Sequence, residues 1–322
     1  MSRVFKLIAV SVSLLAWAQA AQAADTDFAS WLNGVRQDAI ASGLQPQSVD
    51  LALQGVAPIP RVIELDQSQP ESTLTFDQYV ERVVNPKRIA LGRRKLAENR
   101  TLLAKIARRY RVQPRFIVAL WGIETDFGAQ TGGFPALSAL ATLAYDGRRS
   151  AFFRRELIAA IRIVDRDHIP PGEMTGSWAG AMGQCQFMPT TYLEHAASYR
   201  GKGSPDIWQQ SPDALASIAK YLADLGWNDK ESWGRAVQVP PGFDTSLAGL
   251  PQSKPLREWR LLGIRRKDGG KLPALDRPAA LLLPDGAGGS GLLVYDNFRT
   301  LLKWNASSYF AAAVGFLADS LQ

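Results

Sequence analysis

The chain has 322 residues, 46% of them hydrophobic and 21% charged, enough apolar content to bury one large domain or two lobes, which excludes a disordered protein. Its single cysteine, Cys185, excludes an internal disulfide framework and reads as a small buried hydrophobe. The 37 basic and 30 acidic residues leave a net charge of +7, which suits a polyanionic neighbour.

Residues 1–23 read as a secretory signal peptide: Arg3 and Lys6 precede an apolar run from Leu7 to Ala18, and Ala21-Gln22-Ala23 forms a small-residue cleavage pattern. The run is short for a bilayer span, and no cysteine follows it to accept a lipid. The expectation is a soluble, exported chain starting near Ala24, without a transmembrane anchor after cleavage. Both leader cations leave with it, so 35 basic residues face 30 acidic ones, a net of +5. Export argues against nucleic acid and for anionic cell-wall polymer or lipid headgroups as neighbours.

Asp27 to Leu53 predicts an amphipathic helical segment, broken at Gly43-Leu44-Gln45-Pro46 and resumed with Ser48 as N-cap. From Ala57 to Ser72 the residues Pro, Gln, Ser and Glu predict a polar connector, and Thr75 to Tyr110 returns to a helical pattern. Pro114 fits a first helical position, and Phe116, Ile117, Ala119, Leu120 and Ile123 recur at helical spacing until Gly128 and Gly132-Gly133. Further helices are expected at Phe134 to Ala144, Ser150 to Arg166, Pro189 to Tyr199 and Ser211 to Leu225. Beyond Gly226-Trp227, short apolar runs at Arg235 to Val239, Ala279 to Leu283 and Gly291 to Tyr295 predict strands, and Ser307 to Leu321 a closing helix. The organisation expected is a helical scaffold over about 27–112, a core over 113–230, a mixed segment over 231–295 and a final helix within 305–321.

Chemistry concentrates in two segments. In Leu120-Trp121-Gly122-Ile123-Glu124-Thr125-Asp126-Phe127-Gly128, Glu124 lies among apolar residues near a helix C-terminus. Desolvation and the negative end of the helix dipole both raise a carboxyl pKa, as a general acid working near neutrality requires. In Gly176-Ser177-Trp178-Ala179-Gly180-Ala181-Met182-Gly183-Gln184-Cys185-Gln186-Phe187-Met188-Pro189, small residues allow close backbone approach. Ser177, Gln184 and Gln186 add neutral hydrogen-bonding groups suited to amide-bearing sugars. The same run also fits a tight core turn before a helix.

Together with Asn297-Phe298 and Trp304-Asn305, and with the Asp213 to Ala219 and Leu225-Gly226-Trp227 stretches, these segments resemble the lytic murein transglycosylase B family from about Asp27 to Leu321. The resemblance implies a mainly α fold, a lysozyme-like α domain with accessory helical and small mixed α/β segments. It implies a periplasmic enzyme that acts on peptidoglycan glycan strands beside other cell-wall enzymes. Such an enzyme cleaves the β-1,4 bond between N-acetylmuramic acid and N-acetylglucosamine and leaves a 1,6-anhydromuramoyl end, without a cofactor. Carried onto this sequence, Glu124 is the acid and then the base. Ser177, Gln186, Met182 and Phe187 line the site, Asn305 contacts the acetamido region, and Tyr145 is a candidate either for stacking on sugar or for the core.

A hydrolytic muramidase and a non-catalytic peptidoglycan-binding protein are the alternatives. No obvious second carboxylate accompanies Glu124: Asp126, two residues on, points to another helix face, and Asp146 is a possible partner that nothing in the sequence places opposite Glu124. Family members often carry a calcium loop between the Met-Pro and Asp-Ala helices. Here that stretch is Ser198 to Asp206, with Arg200 and Lys202 where oxygen ligands belong, so no metal is expected, although Asp206 and Asp213 remain possible oxygen donors. Trp304 stands where a Tyr is common. His168 and His195 lack the spacing of a metal pair.

Overall fold

The computed structural model describes residues 27–68, 74–288 and 290–322, so the signal peptide expected over 1–23 lies outside the described residues. The chain divides into two compact units, each assembled from separated stretches of sequence.

The first unit contains α1 (27–41), α2 (Pro46–Leu53), α3 (Pro60–Gln67), α8 (Ala136–Asp146) and α9 (Ser150–Asp167). It also holds β1 (Phe134–Pro135) and β2 (Thr175–Gly176), a short antiparallel pair. Helices α8 and α9 pack on each other, with α2 laid on α9 and α3 on α8.

Two expectations are corrected in this unit. Ser48 is not a cap. Pro46, whose missing N–H is harmless only in the first turn, occupies the first helical position, and Gln45 is the N-cap. The connector expected from Ala57 contains helix α3, which also begins on a proline. Its buried positions, Val62 and Asp66, lie one turn apart, so half of its inner face is a carboxylate rather than an apolar stripe. Asp66 accepts hydrogen bonds from Arg148 Nε and Arg149 Nη2, both at 2.8 Å. Burial raises the Asp66 pKa, but the two guanidinium groups outweigh it and hold the carboxyl below its ordinary range.

The second unit contains α4 (Phe76–Val83), α5 (Pro86–Glu98), α6 (Arg100–Tyr110), α7 (Pro114–Thr125), α11 (Ser211–Asp224), α12 (Leu256–Leu261), α13 (Asp296–Trp304) and α14 (Ser308–Ser320). Between the two units in sequence runs α10 (Pro189–His195), shorter than expected. Thr75 caps α4 through a reciprocal pair with Gln78. Helix α7 packs against α5, α6, α11 and α14, and its residues from Phe116 to Gly122 are all buried. It is therefore the central helix of this unit.

The second unit also carries a five-stranded antiparallel sheet, in the order β4 (Ser253–Pro255), β6 (Pro278–Leu282), β7 (Gly291–Val294), β3 (Gly234–Gln238), β5 (Arg265–Arg266). The three strands expected from apolar runs form its centre, with Leu281 opposite Leu293 and Ala236 opposite Leu292. Edge strands β4 and β5 and helices α12 and α13 had not been anticipated. Leu256, Trp259, Ile264 and Leu272 cover the sheet in a separate small core. Among the described residues no helix is long and apolar enough to cross a membrane.

Candidate active site

Glu124 is the last but one residue of α7. Immediately after it the chain turns back: Asp126 and Phe127 take left-handed conformations, with φ of 49° and 60°. Their amides donate to Gly122 O and Trp121 O at 3.1 and 3.2 Å, satisfying carbonyls at the helix end. The reversal brings the Phe127 ring onto Gly122, where a Cβ would come within 2.6 Å of it, so residue 122 has no room for a side chain. Thr125 Oγ1 donates to Gln184 O at 3.0 Å and accepts from Gly128 N at 3.1 Å. Each residue of the Thr-Asp-Phe-Gly sequence after Glu124 thus helps fix the end of the helix that carries it.

Gln184 is almost fully buried and does not face a ligand. Its Oε1 accepts from Trp121 Nε1 and Ser211 Oγ, both at 3.1 Å, while its Nε2 donates to Trp208 O at 3.1 Å. Gln186 has φ of 52° and donates Nε2 to Thr131 O and Gly183 O. It keeps partial exposure and, among the described residues, its Oε1 receives no hydrogen bond.

The carboxyl of Glu124 meets the indole of Trp304, which ends α13 and donates Nε1–H to Glu124 Oε1 at 2.7 Å. The Tyr221 ring of α11 lies 4.9 Å from Trp304, and His195 stacks on Tyr221 at 4.4 Å. His195 Nδ1 is 2.7 Å from Asp224 Oδ2, and Lys220 also pairs with Asp224. The indole is therefore braced from behind by two rings and an ion cluster. Tyr79 of α4 belongs to the same neighbourhood, because its hydroxyl is made harder to ionise first by burial and then by the charge on Glu124.

Glu124 keeps some accessible surface, as a group that must meet substrate does, while protein surrounds it closely. Burial pushes its carboxyl up from 4.5 to about 7, against the pull of the indole hydrogen bond, which favours the ionised form. Asp126 turns to Arg88, 3.6 Å from its Nε. Among the described residues no second carboxylate contributes to the shift of Glu124.

The other expected site residues fall in different places. Asn305, exposed at the end of α13, sits in the unit of Glu124, and its Oδ1 accepts from Ser307 N. Ser177, Tyr145, Met182 and Phe187 belong to the other unit. Ser177 closes a turn, donating its amide to Ala181 O and accepting from Ala181 N at Oγ. Gly176 beside it leaves no space for a Cβ, which would lie 2.0 Å from Ala181 O. Tyr145 donates its hydroxyl to Asp27 and contacts Phe28 and Trp31 edge-on. Met182 and Phe187 are corrected to core: they exchange backbone hydrogen bonds and are 0% and 2% exposed, so neither offers surface to a ligand. Cys185 is also buried, its Sγ 3.3 Å from Ala214 O, and its thiol is pushed well up by desolvation.

The stretch before α11 does not fit calcium. Asp213 spends its two oxygens on the amides of Tyr199 and Asp206, and Asp206 Oδ1 accepts from the amides of Trp208 and Gln209. Backbone N–H groups thus take the carboxylate oxygens a cation would need, and Arg200 and Lys202 add charge of the wrong sign.

The profile of the family described as Transglycosylase SLT domain matches residues 27–319. The crystal structure of SltB3 from Pseudomonas aeruginosa in complex with NAG-anhNAM-pentapeptide is 44% identical, with a TM-score of 0.88 over 91% of this chain and 79% of that one. SLT35 of Escherichia coli, solved in complex with calcium, is 26% identical, with a TM-score of 0.76 over 90% and 92%. The membrane-bound lytic murein transglycosylase B of Escherichia coli (strain K12) is 31% identical over 225 residues, which are 66% of this chain and 58% of that protein. The alignment thus spans little more than half of that relative. The fold is mainly α and lysozyme-like with a small antiparallel sheet, as expected. With its match running through nearly all the described residues, the chain belongs to the transglycosylase SLT domain family.

Proposed function

We propose that the protein is a peptidoglycan lytic transglycosylase in which Glu124 alone moves the protons. The observation that carries this reading is a single carboxyl, held near neutrality by burial and fixed at one oxygen by Trp304 Nε1–H. At a pKa of about 7 both protonation states are within easy reach at cellular pH, as one group serving as acid and then base requires. In the first step the protonated carboxyl gives its hydrogen to the glycosidic oxygen, and the bond from that oxygen to the muramoyl anomeric carbon breaks. In the second, the carboxylate takes the proton of the muramoyl 6-hydroxyl, whose oxygen bonds to the anomeric carbon. The products are a free 4-hydroxyl and a 1,6-anhydro ring, with no water consumed and Glu124 protonated again.

The indole can only donate, so it occupies Oε1 in both states and leaves Oε2 to carry the transferable proton. Gln186 Oε1 offers an acceptor for an acetamido N–H, and Asn305 follows it as a proposed substrate contact in the same unit; Ser177 and Tyr145 are carried over as sugar contacts by resemblance alone. SltB3, which is 44% identical, has been solved with NAG-anhNAM-pentapeptide and with NAG-NAM-pentapeptide, and this supports the same substrate class here. The signal peptide expected from the sequence and the family match support a periplasmic location, with action on glycan strands beside other cell-wall enzymes as part of the proposal.

Mass analysis of purified sacculi digested with the protein tests the reaction. Muropeptides ending in anhydromuramic acid, one water (about 18 Da) lighter than reducing ends, are the expected products, because an intramolecular attack adds no water. Reducing ends would instead identify a muramidase.

A second expected result concerns the indole. Trp304→Phe keeps an aromatic ring against Tyr221 but removes the donor, so the carboxylate loses a stabilising partner. The alkaline limb of the kcat/KM profile, where the general acid is lost on deprotonation, should therefore move to higher pH. At the optimum kcat should drop about 10- to 100-fold as the proton-carrying oxygen loses its orientation. Trp304→Tyr, whose hydroxyl can donate, should recover part of both. A drop in rate with an unmoved profile would show that the ring acts only as packing.

A further inference from the structure

Between Arg82 and Arg111 the sequence carries eleven Lys and Arg residues against one acid, Glu98, which leaves 26 basic and 29 acidic residues in all the rest. The net positive charge of the protein is therefore a local feature of α5 and α6. In α6, Leu103 and Ile106 are buried while Arg100, Lys105, Arg108 and Arg109 are exposed. At about 100° per residue, those four fan over the half of the helix opposite its buried side. Flanking cations have partners, Arg94 and Lys95 at Glu98 and Arg111 at Asp229. Among the described residues the four on α6 form no ion pair, and exposed Lys87 and Arg93 extend the same charge along α5.

Charge alone would suit any polyanion. Between the two helices, however, lies a recess of about 430 Å³ lined by Leu96, Ala97, Leu103, Ala104 and Pro114, with Arg93 and Arg100 completing its wall. An apolar hollow bounded by two guanidinium groups matches an amphiphile, with an anionic head on the arginines and methylenes below. A soluble polyanion such as polyphosphate has no apolar group to place there.

We propose that the exposed face of α5 and α6 docks on anionic phospholipid headgroups and holds the protein reversibly at a membrane surface. Arg93 and Arg100 take a lipid phosphate, the recess takes the start of an acyl chain, and Lys105, Arg108 and Arg109 add attraction that salt screens. None of these residues belongs to the set around Glu124, so docking and catalysis are separable.

Flotation of the protein with vesicles of phosphatidylcholine alone, or of phosphatidylcholine mixed with phosphatidylglycerol, tests the idea at low and high salt. Binding to the anionic vesicles should exceed binding to the neutral ones by about tenfold or more and weaken as salt rises. The triple variant Lys105→Glu, Arg108→Glu, Arg109→Glu should abolish it. The double variant Ala97→Glu, Ala104→Glu, which puts carboxylates into the recess, should weaken it at unchanged surface cations. Both variants should cleave soluble glycan fragments at the parent rate, which shows that they are folded. Equal binding to the two vesicle types, or anionic binding that survives the triple variant, overturns the proposal. So does capture by soluble inorganic polyphosphate through the same residues without flotation on anionic vesicles, since the face would then be a site for soluble polyanions. Binding unaffected by the alanine substitutions removes the acyl recess and with it the preference for lipid.

Discussion

Glu124→Gln should lower the release of muropeptides from purified sacculi by about a thousandfold or more, since it removes the only group proposed to give and take protons. The same substitution should make the protein more stable at alkaline pH. The folded carboxyl titrates at about 7 against 4.5 ordinarily, so its neutral form is the one the fold favours. That contribution is complete below pH 4.5 and disappears as pH rises through 7, where the wild-type protein must hold a buried carboxylate. Glutamine stays neutral throughout, and its Oε1 can still accept from Trp304 Nε1. The variant should therefore match the wild type near pH 4 and exceed it by about 3 kcal/mol at pH 8, at 1.36 kcal/mol per pKa unit. Thermal melts of both proteins from pH 4 to 8, run beside the sacculus assay, read the two effects together. Near wild-type turnover, or a melting difference that does not change with pH, would remove Glu124 from its role.

What was legible in the sequence was local. Pro114 at a helix start and the spacing from Phe116 to Ile123 located α7 and put Glu124 in its last turn, because both signals lie within one element. The three central strands were legible for the same reason. Helix α3 was not, since its inner face is completed by Asp66 bonded to Arg148 and Arg149, more than 80 residues away, and no apolar periodicity records that. Trp304 lies 180 residues from Glu124, so the indole that fixes the carboxyl could be noticed only as a departure from a familiar motif. Tyr79 offered no signal at all. In the glycine-rich run, composition marked the right segment but not the direction of its side chains. Met182, Phe187 and Gln184 point into the core, whereas Gln186, two residues beyond Gln184 and in a left-handed conformation, keeps an exposed face.

That orientation makes Gln184 the residue whose loss should most damage the support of the site. Gln184→Leu keeps roughly the same volume but takes the acceptor away from Trp121 Nε1–H in buried surroundings and removes the amide that donates to Trp208 O. A stranded indole N–H costs about 1–3 kcal/mol, so the protein should lose about that much in urea unfolding, a sizeable share of the stability of an ordinary domain. Ser211 Oγ can rotate to another acceptor and adds little. The backbone carbonyl of residue 184 still accepts from Thr125 Oγ1, so α7 keeps one tether, and turnover at low temperature should fall less than stability does. Gln186→Leu is the control, because that amide is partly exposed and water can replace its partners; its unfolding midpoint should shift by less than 1 kcal/mol, on the order expected for a solvated site. If Gln184→Leu were as stable as Gln186→Leu, the buried amide would not be the strut that holds the catalytic helix, and the roles of the two glutamines would have to be exchanged.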